Sequence, residues 1–188
     1  MASELQRRKV TRVFRAMDVN GDGLLEEDDF AALTERWAAV RGAPPGSPEH
    51  TRLTDIMMGW WQTLLATSDE TPRDTPRATV TLDDVLAVVD RLGQMRQPVA
   101  ATAMTMFEAV DEDADGMISA PEYRRLIESW NGRSTDTDEV FPLLDGDGDG
   151  YLSRTEFTEL WTEFWAGDDA DSPGTWVFGR FEPPVPQR

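Results

Sequence analysis

The chain has 188 residues, of which 36 are acidic and 18 are basic, so its formal net charge is −18. This charge argues against nucleic acid and anionic membranes as partners, because both are themselves negative. The absence of cysteine excludes disulfides, thiolate metal sites and cysteine nucleophiles. The start, M-A-S-E-L-Q-R-R-K, has no signal-peptide pattern, and no apolar run is long enough to span a bilayer. We therefore expect a cytoplasmic protein.

The first helix is predicted from Glu4 to Met17, because apolar residues recur there on one helical face. The loop that follows, residues 18–29, reads D-V-N-G-D-G-L-L-E-E-D-D. Gly23 fills its sixth place, where a sharp turn requires the positive φ that glycine adopts without steric cost. Five other places offer oxygen ligands, from side chains or from the Leu24 carbonyl: Asp18, Asn20, Asp22, Leu24 and Asp29. An all-oxygen set at this spacing is typical of a calcium-binding EF-hand loop, whereas zinc would favour nitrogen or sulfur.

The twelfth place of this loop departs from the usual pattern, because Asp29 stands where glutamate is expected. Aspartate is one methylene shorter, so the chain must close further before both carboxylate oxygens reach the ion. That favours fewer ligands and a smaller ion, and we expect the first site to accept Mg²⁺ as well as Ca²⁺. Glu26, at the ninth place, could supply a further carboxylate in compensation.

The second unit has the helices of the first but lacks its ligands. After a proline-rich break at residues 44–48, one helix is predicted over residues 53–65 and another after Asp84. Counting back from Asp84 as the twelfth place starts the loop at Arg73 and puts arginine where acids should stand. Counting forward from the entering helix starts it at Leu65 instead. The loop, at about residues 73–84, is therefore predicted to be expanded, degenerate and structural.

The third and fourth loops, residues 111–122 and 145–156, carry complete sets of oxygen ligands. The predicted ligands of the third loop are Asp111, Asp113, Asp115, the carbonyl of Met117, and Glu122. Those of the fourth loop are Asp145, Asp147, Asp149, the carbonyl of Tyr151, and Glu156. In both loops, serine at the ninth place and glutamate at the twelfth form a capping box, which starts the exiting helix inside the loop. Helically spaced apolar residues on both flanks argue against a solvated acidic linker.

These repeats predict an all-α fold of four EF-hand helix-loop-helix units, which form two pairs packed into one compact globule. The eighth residues of paired loops should exchange backbone hydrogen bonds, Leu25 with Val80 and Ile118 with Leu152. This pairing explains why a loop without ligands is kept, since it completes the first pair. We divide the chain into an N-terminal pair at 1–97, a C-terminal pair at 98–166 and a tail at 167–188 that packs on the core. The boundary is placed between Gln97 and Pro98, because the residue before proline is biased away from helix.

Three intact loops, a degenerate second loop, Asp29 and an interior rich in tryptophan and phenylalanine resemble the calerythrin and sarcoplasmic calcium-binding protein family. The segment T-W-V-F-G-R-F, residues 175–181, is similar to the C-terminal segment of that family. The resemblance implies a compact globule with its two EF-hand pairs face to face, and a protein that buffers calcium or modulates its signals. The proline-rich loop and the proline-rich tail depart from the family pattern.

The seven tryptophans and eight phenylalanines are interpreted as hydrophobic core rather than as a ligand-binding box. Photoproteins of the same fold oxidise a luciferin with several histidines, whereas this chain has only His50, expected to be solvated in the proline-rich loop. We therefore expect no enzyme activity. A calcium sensor would expose a flexible, methionine-rich groove, but the eight methionines are scattered along the chain.

The leading hypothesis is therefore a monomeric intracellular calcium buffer that binds three Ca²⁺ per chain. The second hypothesis is a calcium sensor that binds an unidentified protein target when loaded. The third is a binder of a luciferin-type hydrophobic ligand.

Overall fold

The computed structural model describes residues 2–68, 78–92 and 96–179, with the side chains of residues 96–98 left out. Within these ranges the chain forms eight α-helices, four short strands and one 3₁₀ helix. The helices are α1 (Glu4–Met17), α2 (Glu27–Arg41), α3 (Pro48–Ser68), α4 (Leu82–Leu92), α5 (Arg96–Val110), α6 (Ala120–Asn131), α7 (Phe141–Leu144) and α8 (Arg154–Ala166). The strands are β1 (Leu24–Leu25), β2 (Val80–Thr81), β3 (Met117–Ser119) and β4 (Tyr151–Ser153), and the 3₁₀ helix is Pro173–Trp176. No helix of the described ranges is long and apolar enough to cross a membrane.

Local sequence signals explain where the helices begin and end. Ser3 caps α1 in a reciprocal box with Gln6, and α1 has the predicted bounds. The glycines Gly42 and Gly132 end α2 and α6 in the left-handed conformation, at φ of 68° and 66°. Helix α3 begins at Pro48, five residues before its predicted start, because proline is tolerated in a first turn whose N–H groups lack helical acceptors.

Two small antiparallel sheets join the loops in pairs. Strand β1 pairs with β2, with Leu25 opposite Val80, and β3 pairs with β4, with Ile118 opposite Leu152. All four side chains are fully buried. The predicted pairing of the eighth residues is confirmed, and each sheet connects the loop regions of two successive units.

The second loop lies largely outside the described residues, and this includes the predicted ligand places Arg73, Thr75 and Arg77. At its described end, Asp84 accepts a hydrogen bond from the Thr81 backbone N–H at 2.9 Å. That carboxylate caps α4. The predicted boundary after Gln97 falls in the first turn of α5, which begins at Arg96, and the division of the chain into three segments stays a prediction.

Tryptophans from both halves meet in the core. Helix α2 packs against α6, α3 against α5, and α1 against α8. The ring of Trp60, from α3, stacks on Trp130 of α6 at 5.5 Å between centroids and lies 6.3 Å from Trp161 of α8. Trp37, Trp130 and Trp161 are each at most 3% exposed. The apolar faces of the two EF-hand pairs are thus buried against each other.

The chain after α8 returns to this aromatic core. The 3₁₀ helix packs against α8, and the Tyr123 hydroxyl donates to the Trp176 carbonyl at 3.2 Å. Phe178, just beyond, is 3% exposed. Its ring centroid lies between 4.7 and 6.1 Å from those of four other aromatic residues: Trp130, Trp161, Phe164 and Trp165. The described part of the tail therefore contributes to the core.

Because Phe178 contacts four rings, we expect Phe178→Ala to lower the free energy of unfolding by about 3 to 5 kcal/mol, through lost burial and the cavity left behind. Urea titration at one fixed calcium concentration measures this, since bound ligand itself shifts stability. Leu143→Ala, at a side chain that is 51% exposed, is the matched control and should cost less than about 0.5 kcal/mol. Equal losses in the two variants would contradict a core role for the tail.

Candidate calcium sites

The fourth loop is held by hydrogen bonds to its own carboxylates. Backbone N–H groups of the loop donate to both oxygens of Asp145, including that of Gly150 at 2.8 Å. Glu156, at the twelfth place, accepts from the N–H of Gly146 at 3.2 Å and from the N–H of Ser153 at 2.9 Å. One oxygen each of three acids lies within 4.8 Å of the others: Asp145, Asp147 and Asp149. Amides thus turn the carboxylates toward one centre.

The third loop repeats this arrangement at a more buried position. One oxygen each of its first three acids also lies within 4.8 Å of the others: Asp111, Asp113 and Asp115. Glu122 accepts from the N–H of Glu112 at 2.8 Å and from that of Ser119 at 2.8 Å. Asp111 is only 5% exposed, and its Oδ1 is buried without a hydrogen-bond partner in the structure. A buried carboxylate oxygen that no donor satisfies is costly unless a cation sits against it.

The first loop reaches the same closure with its shorter acid. Asp29 accepts from the N–H of Val19 and from the N–H of Glu26, each at 3.0 Å, and it is 2% exposed. The N–H of Gly23 donates to Asp18 at 2.9 Å, and those of Asp22 and Leu24 donate to the side chains of Asn20 and Asp22. Glu26, which we suggested as an extra ligand, stands at the N-cap of α2 in a capping box with Asp29.

Two places in each loop require left-handed backbone. The sixth-place glycines Gly23, Gly116 and Gly150 have φ of 84°, 87° and 90°, which matches the sequence argument. The fourth place has the same requirement, which the sequence analysis missed. It is met by glycine in the first and fourth loops, but in the third loop by Ala114, at φ 59°. Alanine there carries steric strain that glycine avoids.

The closing glutamates of the third and fourth loops are held in the charged form. Burial alone would raise the pKa of Glu122, but hydrogen bonds from Ser119 and from the Glu112 N–H, with the nearby Arg125 guanidinium, lower it overall. Burial would also raise the pKa of Glu156, but hydrogen bonds from Ser153 and from loop amides lower it overall. A carboxylate that stays ionised is the form a metal ligand needs.

The donor set fits a hard divalent cation. The clustered side-chain atoms are oxygens, and the seventh-place residues Leu24, Met117 and Tyr151 lie on the strands that line the loops. Tyr151 is 43% exposed, and the carbonyl is the group that the loop spacing assigns to it as a ligand. Oxygen ligands on flexible loops favour Ca²⁺ over zinc or copper. The unpartnered Asp111 oxygen is the strongest single sign that a cation belongs there.

Comparison with known proteins agrees with this geometry. A sequence model of the EF hand matches residues 10–34 and 104–127, and a model of the EF-hand domain pair matches residues 132–169. The calcium-binding allergen Ole e 8 of Olea europaea is 36% identical over 161 residues, which cover 82% of this chain and 81% of the allergen. The chain belongs to the EF-hand family of calcium-binding proteins.

Longer matches at lower sequence identity indicate the type of EF-hand protein. The sarcoplasmic calcium-binding protein beta chain of Penaeus sp. is 24% identical over 91% of this chain and 94% of its own length. The luciferin-binding protein of Renilla reniformis is 25% identical, with 85% of each chain covered. The EF-hand protein therefore has the fold of the sarcoplasmic calcium-binding proteins, and the two relatives are by name a calcium-binding and a luciferin-binding protein.

Solved structures show the same fold. The coelenterazine-binding protein of Renilla muelleri superposes with a TM-score of 0.73 at 20% identity, covering 95% of this chain and all of that one. The sarcoplasmic calcium-binding protein of amphioxus gives 0.72 at 17% identity, covering 97% and 100%. Both cover nearly the full length of the EF-hand protein.

One sequence expectation was wrong. His50 is not a solvated residue of a proline-rich loop but lies in the first turn of α3, with a side chain that is only 15% exposed. Its Nε2 is 2.8 Å from a carboxylate oxygen of Glu35 on α2. The error came from placing the start of α3 too late, and the histidine contributes to the α2–α3 contact.

Proposed function

We propose that this EF-hand protein is a calcium buffer that takes up three Ca²⁺, in the loops at residues 18–29, 111–122 and 145–156. The observation that carries the proposal is shared by all three loops. In each, the twelfth-place carboxylate is bonded to the N–H of the second residue, so the loop is already closed around its oxygen ligands: Asp29, Glu122 and Glu156. The cytoplasmic location and the monomeric state stay predictions from the sequence.

A buffer differs from a sensor in the surface that it presents. A sensor opens an apolar groove when loaded. Here four of the seven tryptophans are at most 3% exposed: Trp37, Trp61, Trp130 and Trp161. The large apolar side chains exposed in the described ranges lie on five different segments, the first loop, α2, α5, α7 and β4: Val19, Val40, Met104, Leu143 and Tyr151. This distribution favours a buffer, and a sensor with an unidentified protein target is the competing hypothesis.

The stoichiometry is the first test. Calorimetric titration with calcium should give three ions per chain, and Glu122→Gln or Glu156→Gln should each weaken binding sharply at one loop, because a charged ligand with two oxygens is lost. Asp84→Asn is the matched control, since the Asp84 carboxylate caps α4. It should leave three ions bound. A fourth ion that disappears in the control would show that the second loop is not degenerate.

The first loop should be the most tolerant of magnesium. Asp29 reaches its amide partners only because the loop closes tightly, and a tight site favours the smaller ion. Asp29→Glu should therefore shift preference towards calcium, measured by calcium titration with and without millimolar Mg²⁺. Glu122→Asp is the reciprocal change and should shift the third loop towards magnesium. Unchanged preferences in both variants would contradict the geometric argument.

Tryptophan emission and dye binding distinguish buffer from sensor. Calcium relieves the repulsion among the loop carboxylates and should stabilise the closed globule. Emission should then shift to the blue, and binding of a hydrophobic dye should fall. Potassium chloride at equal ionic strength separates site-specific effects from general ionic effects. A calcium-dependent rise in dye binding, or capture of an amphipathic helix, would support the sensor instead.

A cavity between α3 and α5 favours a second candidate function, the binding of an apolar aromatic ligand. Its volume is about 540 Å³, within the usual range for small-molecule sites. Rings and hydroxyls line it, including those of Trp60, Thr63, Thr102 and Trp161, and the Trp161 indole N–H donates to Thr102 at 3.2 Å. A relative of this chain is a luciferin-binding protein. Apolar walls with a few hydroxyls suit such a ligand.

Gly59 offers a way to test this. It lines the cavity, and a Cβ added there would meet nothing within 4 Å. Gly59→Leu should fill the cavity and abolish quenching of tryptophan emission by coelenterazine. Gly59→Ala makes the same gain in helix propensity with little added volume and should retain quenching. Absence of quenching in the unmodified protein would leave the buffer as the whole function.

A further inference from the structure

Helix α2 leaves the first loop, but its side chains hold the two helices of the third unit. Arg36 donates from Nη1 to the Trp130 carbonyl at 3.1 Å, next to the C-terminal end of α6. Arg41, the last residue of α2, donates from Nη2 to the Ala109 carbonyl in the last turn of α5. The two helices that enter and leave the loop at residues 111–122 are thus both bonded to α2.

Arg41 is a buried cation with a defined set of partners. Its side chain is 3% exposed, and it pairs with Glu49 of α3 and with Glu112, whose Oε1 is 3.2 Å from the arginine Nε. The guanidinium also lies 5.2 Å from the centre of the Trp37 ring. The Nε of Arg41 makes no well-aligned hydrogen bond, so its attraction to Glu112 is mainly one of charge. A planar group with several donors suits such a crowded site better than an ammonium group.

These partners lie on both sides of the first ligand of the third loop. The carbonyls of Ala109 and Val110 precede Asp111, with Val110 at 3.4 Å from Nη2, and Glu112 follows it. The Glu112 N–H in turn donates to Glu122, the carboxylate that closes this loop, at 2.8 Å. Arg41 therefore fixes the backbone that carries Asp111, the first ligand of the third loop, and that donates to Glu122, the last.

We propose that Arg41 couples calcium binding in the loop at 18–29 to calcium binding in the loop at 111–122. Asp29, in the first turn of α2, closes the first loop, and Arg41 lies twelve residues further along the helix, or about 18 Å at 1.5 Å per residue. Helix α2 is bonded to the first loop at one end, through Asp29, and to the third unit at the other, through Arg41. A change in the tilt of α2 when the first loop closes therefore moves Arg41 and the backbone to which it donates. The strand pairs link each loop only with its neighbour in the same half, whereas α2 links the two halves.

The coupling rests on the proposed calcium function and is reciprocal by linkage, so each loop raises the affinity of the other by the same factor. Arg41 is a positioning residue in this account and need not touch an ion. Its loss should therefore change the dependence of one loop on the other, which a merely structural contact would not do.

Backbone amides give a separate signal for each loop. The N–H groups of Gly23, Gly116 and Gly150 donate to the first-place aspartates at 2.9, 3.1 and 2.8 Å. Their NMR shifts in the full chain should report each loop during a calcium titration. We expect Asp29→Asn, which weakens the first loop, to lower the calcium affinity seen at Gly116 by about five-fold or more. In an Arg41→Met background, the same change should lower it by less than about two-fold.

Arg52→Met is the matched control. Arg52 lies on α3 and pairs with the same carboxylate, Glu49, at 3.4 Å. Its loss removes the same charge, but the coupling should remain complete. If Arg41→Met does not fold, Arg41→Lys keeps the charge without the planar fork and should at least halve the coupling factor. An undiminished factor in whichever Arg41 variant folds would overturn the proposal.

The titration also distinguishes a failure of the coupling from a failure of the proposed calcium function. If calcium shifts none of the three glycine signals, the proposed calcium function itself fails. If calcium shifts them but Asp29→Asn leaves Gly116 unaffected in the otherwise unmodified chain, the loops are independent and only the coupling is wrong.

Discussion

The contact on which the structure most depends is the hydrogen bond from the second residue of each loop to the carboxylate at its twelfth place. In the third loop it joins the Glu112 N–H to Glu122. The carboxylate belongs to the first turn of the exiting helix, while the amide follows the last turn of the entering helix. One bond therefore sets the angle between two helices. The same carboxylate also accepts from the N–H of Ser119, which caps its own helix. One side chain therefore caps the exiting helix, joins it to the entering helix and offers oxygen ligands to an ion.

Basic side chains from elsewhere in the fold counter the partial negative charge at the C-terminal ends of several helices. Carbonyls at helix C-termini lack partners within their own helix and carry partial negative charge. Four helices meet this need with a basic side chain from another helix. Arg91 donates to the end of α3, Arg41 to that of α5, Arg36 to that of α6 and Lys9 to that of α8. A chain with net charge −18 thus uses several of its few cations inside the fold.

Short-range features of this fold could be predicted from the sequence. Ligand spacing and the sixth-place glycines follow from residues close together in the chain, where backbone geometry fixes the outcome. The pairing of Leu25 with Val80 joins two units, and it could be predicted because each residue holds the eighth place of its own loop. The start of α3 at Pro48 and the place of His50 were missed, because a proline can either break a helix or begin one. The left-handed Ala114 gave no signal, since alanine has no preference for that conformation.

The long-range contacts could not be predicted for a different reason. No residue near Arg41 in the sequence indicates that it will contact Ala109, 68 residues away. A guanidinium can donate to carbonyls on any helix that packs against its own, so the partner depends on the tertiary packing. The packing of the tail on the core was likewise indicated only by the resemblance of residues 175–181 to the C-terminal segment of the family. The sequence predicted the pairing of the loops and their sixth-place turns, and the connections between the two halves only in part.

The single lysine shows what such burial means for chemistry. Lys9 is 1% exposed, and its ammonium donates to the Gly167 carbonyl at 2.9 Å and lies 5.3 Å from the centre of the Phe164 ring. Burial lowers its pKa to about 8, against the opposing pull of Asp168 and Glu163. No reagent reaches the amine while α1 rests on α8, and when the two helices separate the burial that lowers its pKa is lost. The rate at which an acylating reagent modifies Lys9 therefore measures how often these two helices separate.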